Sequence, residues 1–396
     1  MRHRFTKVLL GLALFVLLGG TATVAAKSHK SAASSYNVGI IYTRTGLLAA
    51  YGAEYAEGLK LGLNYATNGT GKVNGKSINL TLVDDKFDAA TAVSAAKDLI
   101  GQGYKIIAGT TGSGIAVQLA PLAAQNHVLY ISGPAATDAI TGANKYTFRS
   151  GRQTLQDIAA ASTYLKGAGK KVVVFDQDSV FGHGNYAAVK AIIGGKGHTV
   201  TEVSVPLTAG DFTPFAQQVK NANPDLVFVA WAGTTAGAMW KALDQQGVFS
   251  GTEIATGLPE RATWTSFGDE ATKIHFITHY VSTAPKNKVN DWLVAQLRKR
   301  NQVPDLFAPD GFNAAIMIVH ALKAAGGDDP DKMVSALEGF KFLGPKGVSA
   351  IRPQDHALLQ PMFRVQLVKT NGRLTAKLLG TASTYASAPP VVPMRG

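Results

Sequence analysis

The chain has 396 residues, of which 46% are hydrophobic and 16% charged, a balance that excludes an intrinsically disordered protein. Its 42 glycines follow no triplet period, so a collagen-like fibre is excluded, and the lack of cysteine excludes disulfides, thiolate metal sites and a cysteine nucleophile. The formal charge is +13, and the length suits two domains, each able to bury its own core.

Arg2, Arg4 and Lys7 precede an apolar run from Val8 to Leu18, followed by small residues through Ala26. That order is a secretory signal peptide, expected over residues 1–26, with Val24 and Ala26 as the small side chains before the cut; a second cut could follow Ala33. Its removal takes away three positive charges and leaves +10. The remaining Lys and Arg are scattered, so the charge reads as solubility or a bias toward anions rather than a nucleic-acid footprint. Export without a cysteine to lipidate implies a free periplasmic protein, or one secreted outright.

After a Ser/Ala/Lys linker the chain settles into strand–helix units. Strand 38–42 is followed by a helix carrying Tyr55, Leu59, Leu63 and Ala66, and the Asn74-Gly75 turn leads into strand 78–83. Helix 89–100, strand 105–108, helix 115–125 and strand 128–132 continue the series. The rhythm restarts with helix 154–166, strand 171–175, helix 185–193 and strand 199–205. Helix 214–222, strand 225–230, helix 235–246 and strand 253–256 complete it. Helices 289–300, 312–325 and 330–338 follow, then strands 348–351 and 362–368 and a frayed Pro-rich tail. The expected fold is α/β: two doubly wound, Rossmann-like lobes joined by hinge strands. Lobe 1 spans 36–152 plus 283–360, lobe 2 spans 153–282 plus 361–385, and 386–396 is a tail.

Two loops stand at strand ends, where open α/β sheets bind ligands. Gly109-Thr110-Thr111-Gly112-Ser113-Gly114 opens a helix, so its amides and the Ser113 hydroxyl suit an anionic oxygen; the alternative is a tight turn with a simple cap. It lacks the Gly-Lys-Ser/Thr ending of a nucleotide loop. One strand later, the backbone around Ala135 and the Thr137 hydroxyl either hold a small polar ligand or form a plain turn.

These loops, with Ala50-Tyr51-Gly52, Val83-Asp84-Asp85, Thr147-Phe148-Arg149, Phe181-Gly182 and Arg352-Pro353-Gln354-Asp355-His356, give an ordered series across residues 36 to 370. It resembles the branched-chain amino-acid-binding family of periplasmic solute-binding proteins, the type I fold whose lobes close on a ligand for an ABC importer. The resemblance implies that Thr111, Gly112 and Ser113 bind a carboxylate, and that Ala135 and Thr137 hold an amino-acid main chain. Tyr51 and Phe181 become aromatic walls, Phe307 lines the side-chain pocket, and Trp231 is the candidate aromatic after the strand ending near Ala230. Arg149 is either a second anion contact or a structural arginine. The implied partners are a small carboxylate and a membrane permease, with no nucleic acid and no cofactor, and the chain is expected to be a monomer.

Amino-acid-binding relatives carry an acidic residue in the loop that here reads Thr256-Gly257-Leu258-Pro259-Glu260-Arg261, where spacing sets Glu260 beyond the acidic position. A buried ammonium needs such a partner. If Glu260 turns away, an aromatic or oxo carboxylate is the better ligand, with Trp231, Trp264, Phe181 and Tyr51 as stacking surface. A ligand-sensing protein of the same fold is the rival function, and a secreted α/β enzyme the weaker one. Asp176-Gln177-Asp178 with His183 invites a metal, but the twelfth position of a calcium loop starting at Asp176 is Ala187, not Glu, so no metal is assigned. No nucleophile elbow accompanies Asp355-His356, which reads as a polar turn near a hinge.

Overall fold

The computed structural model describes residues 35–395; the expected signal peptide lies outside the described residues. The first αβ series runs β1 (Ser35–Tyr42), α1 (Ala49–Ala66), β2 (Lys72–Val73), β3 (Lys76–Asp84), α2 (Ala89–Gly101), β4 (Ile106–Gly109), α3 (Ser113–Asn126), β5 (Leu129–Ser132) and β6 (Thr147–Arg149). The second runs α4 (Thr154–Ala161), β7 (Lys171–Gln177), α5 (Val180–Ile192), β8 (Thr199–Val205), α6 (Thr213–Asn221), β9 (Leu226–Ala230), α7 (Ala236–Gln245), β10 (Glu253–Gly257) and β11 (Ile274–Thr278). Then come α8 (Lys288–Arg298), α9 (Ala308–Ala324), α10 (Pro330–Leu337), β12 (Lys341–Gly344), β13 (Gly347–Ile351), β14 (Leu358–Leu359), β15 (Met362–Thr370) and β16 (Arg373–Ala382).

Two large open sheets result, ordered β2-β3-β1-β4-β5-β6 and β16-β15-β11-β10-β9-β7-β8, with a third, three-stranded sheet ordered β12-β13-β14. The pairs β3–β1–β4–β5–β6 and β8–β7–β9–β10–β11 are all parallel. Each large sheet therefore reverses its winding beside its own first strand, at β1/β4 and at β7/β9. Such switch points open a crevice at the strands' carboxyl ends. The strands are short apolar runs because helices cover both faces, as at Ile106–Gly109 and Leu226–Ala230, which are buried throughout.

The Asn74-Gly75 turn joins β2 and β3 with both residues left-handed (φ 50° and 77°), the geometry an Asn-Gly hairpin favours. The late helices return to the first sheet. Helix α9 crosses α1 so closely that a Cβ at Gly58 would lie 1.9 Å from the Ala308 carbonyl oxygen, and one at Gly311 2.0 Å from that of Tyr55. Strands β15 and β16 instead extend the second sheet through antiparallel pairing with β11.

Three expectations are corrected. Helix α5 starts at Val180 rather than at 185, because Ser179 caps it by accepting the Gly182 N–H (3.1 Å). Helix α4 ends at Ala161 instead of running to 166. The tail is not frayed. Arg352 donates to the carbonyls of Pro389 (2.7 Å) and Pro390 (3.0 Å), Asp355 accepts from Val392 N–H (3.0 Å), and Arg395 N–H donates to Gly142 O (2.8 Å). The Arg352–Asp355 turn is thus the clamp that carries the chain end back onto the first sheet's side. His356 completes it, stacked on Phe148 at 3.8 Å. No described helix is long and apolar enough to cross a membrane.

Candidate functional site

A cavity of about 300 Å³ lies between the two switch points. From the first sheet it takes Leu47, Tyr51, Phe87 and the 111–115 loop; from the second it takes Ser179–Phe181, Trp231 and Leu258. The two sides touch around it: a Cβ on Gly233 would meet the Leu47 carbonyl oxygen at 2.6 Å.

The 109–114 loop has a built geometry. Thr110 is left-handed (φ 69°), and Gly109, also left-handed (φ 111°), sits where a Cβ would lie 2.2 Å from Ile41 O. This turn places the Ser113 and Gly114 amides on the cavity without intrahelical acceptors, the Ile115 N–H already donating to Gly112 O (3.1 Å). Ser113 Oγ accepts the Thr137 N–H (3.3 Å), so its hydroxyl proton stays available to an anion. Thr111 also lines the cavity, but its hydroxyl is hydrogen-bonded to Thr43, which in turn donates to Asp85 (2.8 Å). Opposite, the capped N-terminus of α5 supplies a second positive helix end, with Ser179, Val180, Phe181 and Asn185 on the wall.

Six expected residues line this cavity: Tyr51, Thr111, Gly112, Ser113, Phe181 and Trp231. The other four do not. Ala135 is buried and offers its carbonyl to Arg149 (3.1 Å), leaving its neighbours Pro134 and Ala136 on the wall. The Thr137 hydroxyl caps the following turn by accepting Ala139 N–H (3.2 Å). Phe307 packs behind Tyr51, ring centroids 4.4 Å apart. Glu260 is buried beside Tyr51 rather than facing the cavity; burial, then the Glu260 carboxylate, raises the Tyr51 phenol well above its ordinary value.

Trp264 is likewise off the wall, buried in the second core with its indole N–H on Pro259 O (2.9 Å). Arg149 is wholly buried, donating to Thr141 Oγ1 (3.1 Å) and to the Ala135 and Thr137 carbonyls, so it braces the 134–141 loop.

The cationic wall residue is Arg152, three positions on. It donates to Pro134 O (3.0 Å) and pairs with Asp157 (3.2 Å), the only acidic side chain among the described lining residues. Phe87, left-handed at φ 60° and held by Asp85, is a further aromatic that sequence reasoning missed. Gln177 was missed too. It clamps the Trp231 loop by donating to Ala232 O (3.2 Å) and accepting Ala232 N–H (3.0 Å).

Two doubly wound sheets facing each other across such a cavity define a two-lobed binding protein. Residues 35–373 match the Periplasmic binding protein family, and the chain belongs to it. A Leu/Ile/Val-binding protein homolog of Brucella melitensis is 27% identical over 326 residues, 81% of this chain and 87% of the relative. An ABC-type branched-chain amino acid transporter structure from Rhodopseudomonas palustris aligns with a TM-score of 0.76 at 31% identity, covering 90% of this chain and 99% of its own. A solute-binding protein of an ABC transporter from the same species, in complex with 3,4-dihydroxybenzoic acid, aligns with a TM-score of 0.80 at 28% identity, covering 89% and 98%.

Proposed function

We propose that this chain is the periplasmic solute-binding component of an ABC importer and that its ligand is a small aromatic carboxylate. The division into lobes expected from the sequence is part of this reading, with the tail joined to lobe 1. One observation carries the choice of ligand. Donors for an anion converge on the cavity from two helix ends and Arg152, whereas Asp157, the one acidic side chain among its described lining residues, is already paired with Arg152. An amino acid would bury its ammonium without a free carboxylate, which costs several kcal/mol. Tyr51, Phe87, Phe181 and Trp231 supply ring surface for an aromatic body. The relative bound to 3,4-dihydroxybenzoate supports this reading; the Leu/Ile/Val-binding homologue is the reason to test the amino-acid alternative.

The ligand is captured and released unchanged. Closure excludes water, which strengthens the hydrogen bonds to the carboxylate, and presents a shape to a membrane permease. A thermal-shift screen of refolded, ligand-free protein tests this with benzoate, 4-hydroxybenzoate, phenylpyruvate, phenylalanine and leucine. Stabilisation follows RT ln(1 + [L]/Kd), so the aromatic acids are expected to raise Tm and the amino acids to leave it unchanged. A shift with leucine and none with the aromatic acids would overturn the ligand assignment.

A further inference from the structure

Asp176, the penultimate residue of β7, is wholly buried, and neither of its carboxylate oxygens has a partner of hydrogen-bond geometry. Leaving such a group unpaired in the interior is costly, so something is expected to satisfy it. Strand β8 runs beside β7 with Asp176 opposite Ser204 and Val174 opposite Glu202, which puts Asp176 and Glu202 on one face of the sheet. Helix α5 covers that face and brings His183 over it. Ligand atoms of Asp176, His183 and Glu202 all lie within 4.8 Å of one another.

The surroundings are ordered for metal binding. His183 Nδ1 lies 2.9 Å from Glu202 Oε1, while Nε2 lies 2.9 Å from Asp178 Oδ1. Nδ1 therefore donates to Glu202 here as Nε2 does to Asp178, and a bound cation would replace the Nδ1 proton while Asp178 keeps the one on Nε2. A histidine that binds a metal almost always has its other ring N–H held by a carboxylate, a backbone carbonyl or water. Tetrahedral coordination at about 2.1 Å needs ligand atoms about 3.4 Å apart. Glu202 is half-buried and His183 exposed, so both can close that gap, and an ion can enter from solvent.

We propose that Asp176, His183 and Glu202 bind a divalent first-row cation, zinc being the best match to one imidazole and two carboxylates, with water completing the shell. The sequence reading dismissed a metal here because it sought every ligand within one loop. The third ligand comes from the neighbouring strand. The ion would staple the edge strand β8 to the first turns of α5, two residues from Phe181 in the cavity wall.

The test uses the mature chain made without a His tag and stripped with EDTA. It is titrated with zinc chloride by calorimetry at neutral pH, with magnesium and calcium chloride as controls, and its melting is followed in parallel. The expected result is one zinc per chain, a rise in Tm, and affinity lost about tenfold or more in Asp176→Asn and in Glu202→Gln; the latter sits at the sheet edge and tests the site if the former fails to fold. Asp178→Asn is expected to weaken zinc about 10- to 100-fold through the imidazole. No saturable zinc binding, or binding that persists unchanged in Asp176→Asn and Glu202→Gln, would overturn the proposal.

Discussion

At the scale of single residues, Arg152 sets the charge of the cavity. It compensates Asp157 at 3.2 Å and keeps a guanidinium on the wall within reach of an anion. Replacing it removes a cation and exposes Asp157 as a like charge to the ligand. Arg152→Gln is therefore expected to weaken an aromatic carboxylate by about 1.5–3 kcal/mol, a tenfold loss or more, measured by titration calorimetry. Adding Asp157→Asn is expected to restore part of that loss. Unchanged affinity in the single variant would remove Arg152 from the site. The Ser113 turn was legible because its glycines and hydroxyls are contiguous in the sequence. The sequence singled out Arg149 and passed over Arg152 three residues on, since only the fold shows which of the two is spent on bracing a loop. Phe307 and Trp264 failed for the same reason: an aromatic does not announce which face it serves.

Secondary-structure elements were most legible where apolar runs are continuous, as in Ile106–Gly109 and Leu226–Ala230, and where a cap or turn is local, as at Asn74-Gly75. Strand β16 was missed because it packs on one side only and is largely exposed. The fate of the tail was illegible because its partners, the Arg352 and Asp355 side chains and the Gly142 carbonyl, lie more than thirty residues away in the chain. That clamp has a consequence for stability. Deleting residues 389–396 removes the two carbonyls that Arg352 holds and the amide that Asp355 holds, leaving a part-buried guanidinium and a buried carboxylate less satisfied. The truncated chain is expected to melt a few degrees lower, given about 2–4 °C per kcal/mol for chains of roughly 150–250 residues and less for longer ones. A differential scanning calorimetry trace that overlays the full chain would show that the clamp contributes nothing.

At the scale of the whole molecule, several carboxyl groups are largely buried close to one another beside the cavity. Glu54 accepts the Phe307 N–H (3.0 Å), Asp305 accepts the Arg261 N–H (2.6 Å), and Glu260 reaches Tyr51 from the second sheet's side. Burial raises all three carboxyl groups; Asp305 pushes Glu54 and Glu260 further up. Separation of the lobes would return these groups to water and to ordinary values near 4. The closed form thus holds protons more tightly than the open one. Its advantage is complete below the ordinary carboxylate range and fades as pH rises through the raised values. Over that window an aromatic acid remains ionised above about pH 5, so the ligand's own charge does not confound the trend. Apparent affinity is expected to fall as pH increases from about 5 to 8, with small-angle scattering showing a larger radius of gyration at fixed, subsaturating ligand. Glu54→Gln and Glu260→Gln are expected to flatten both curves. A pH dependence that survives when Asp305→Asn is added to these two substitutions would place the coupling elsewhere, because none of the three carboxyl groups could then exchange a proton at the seam.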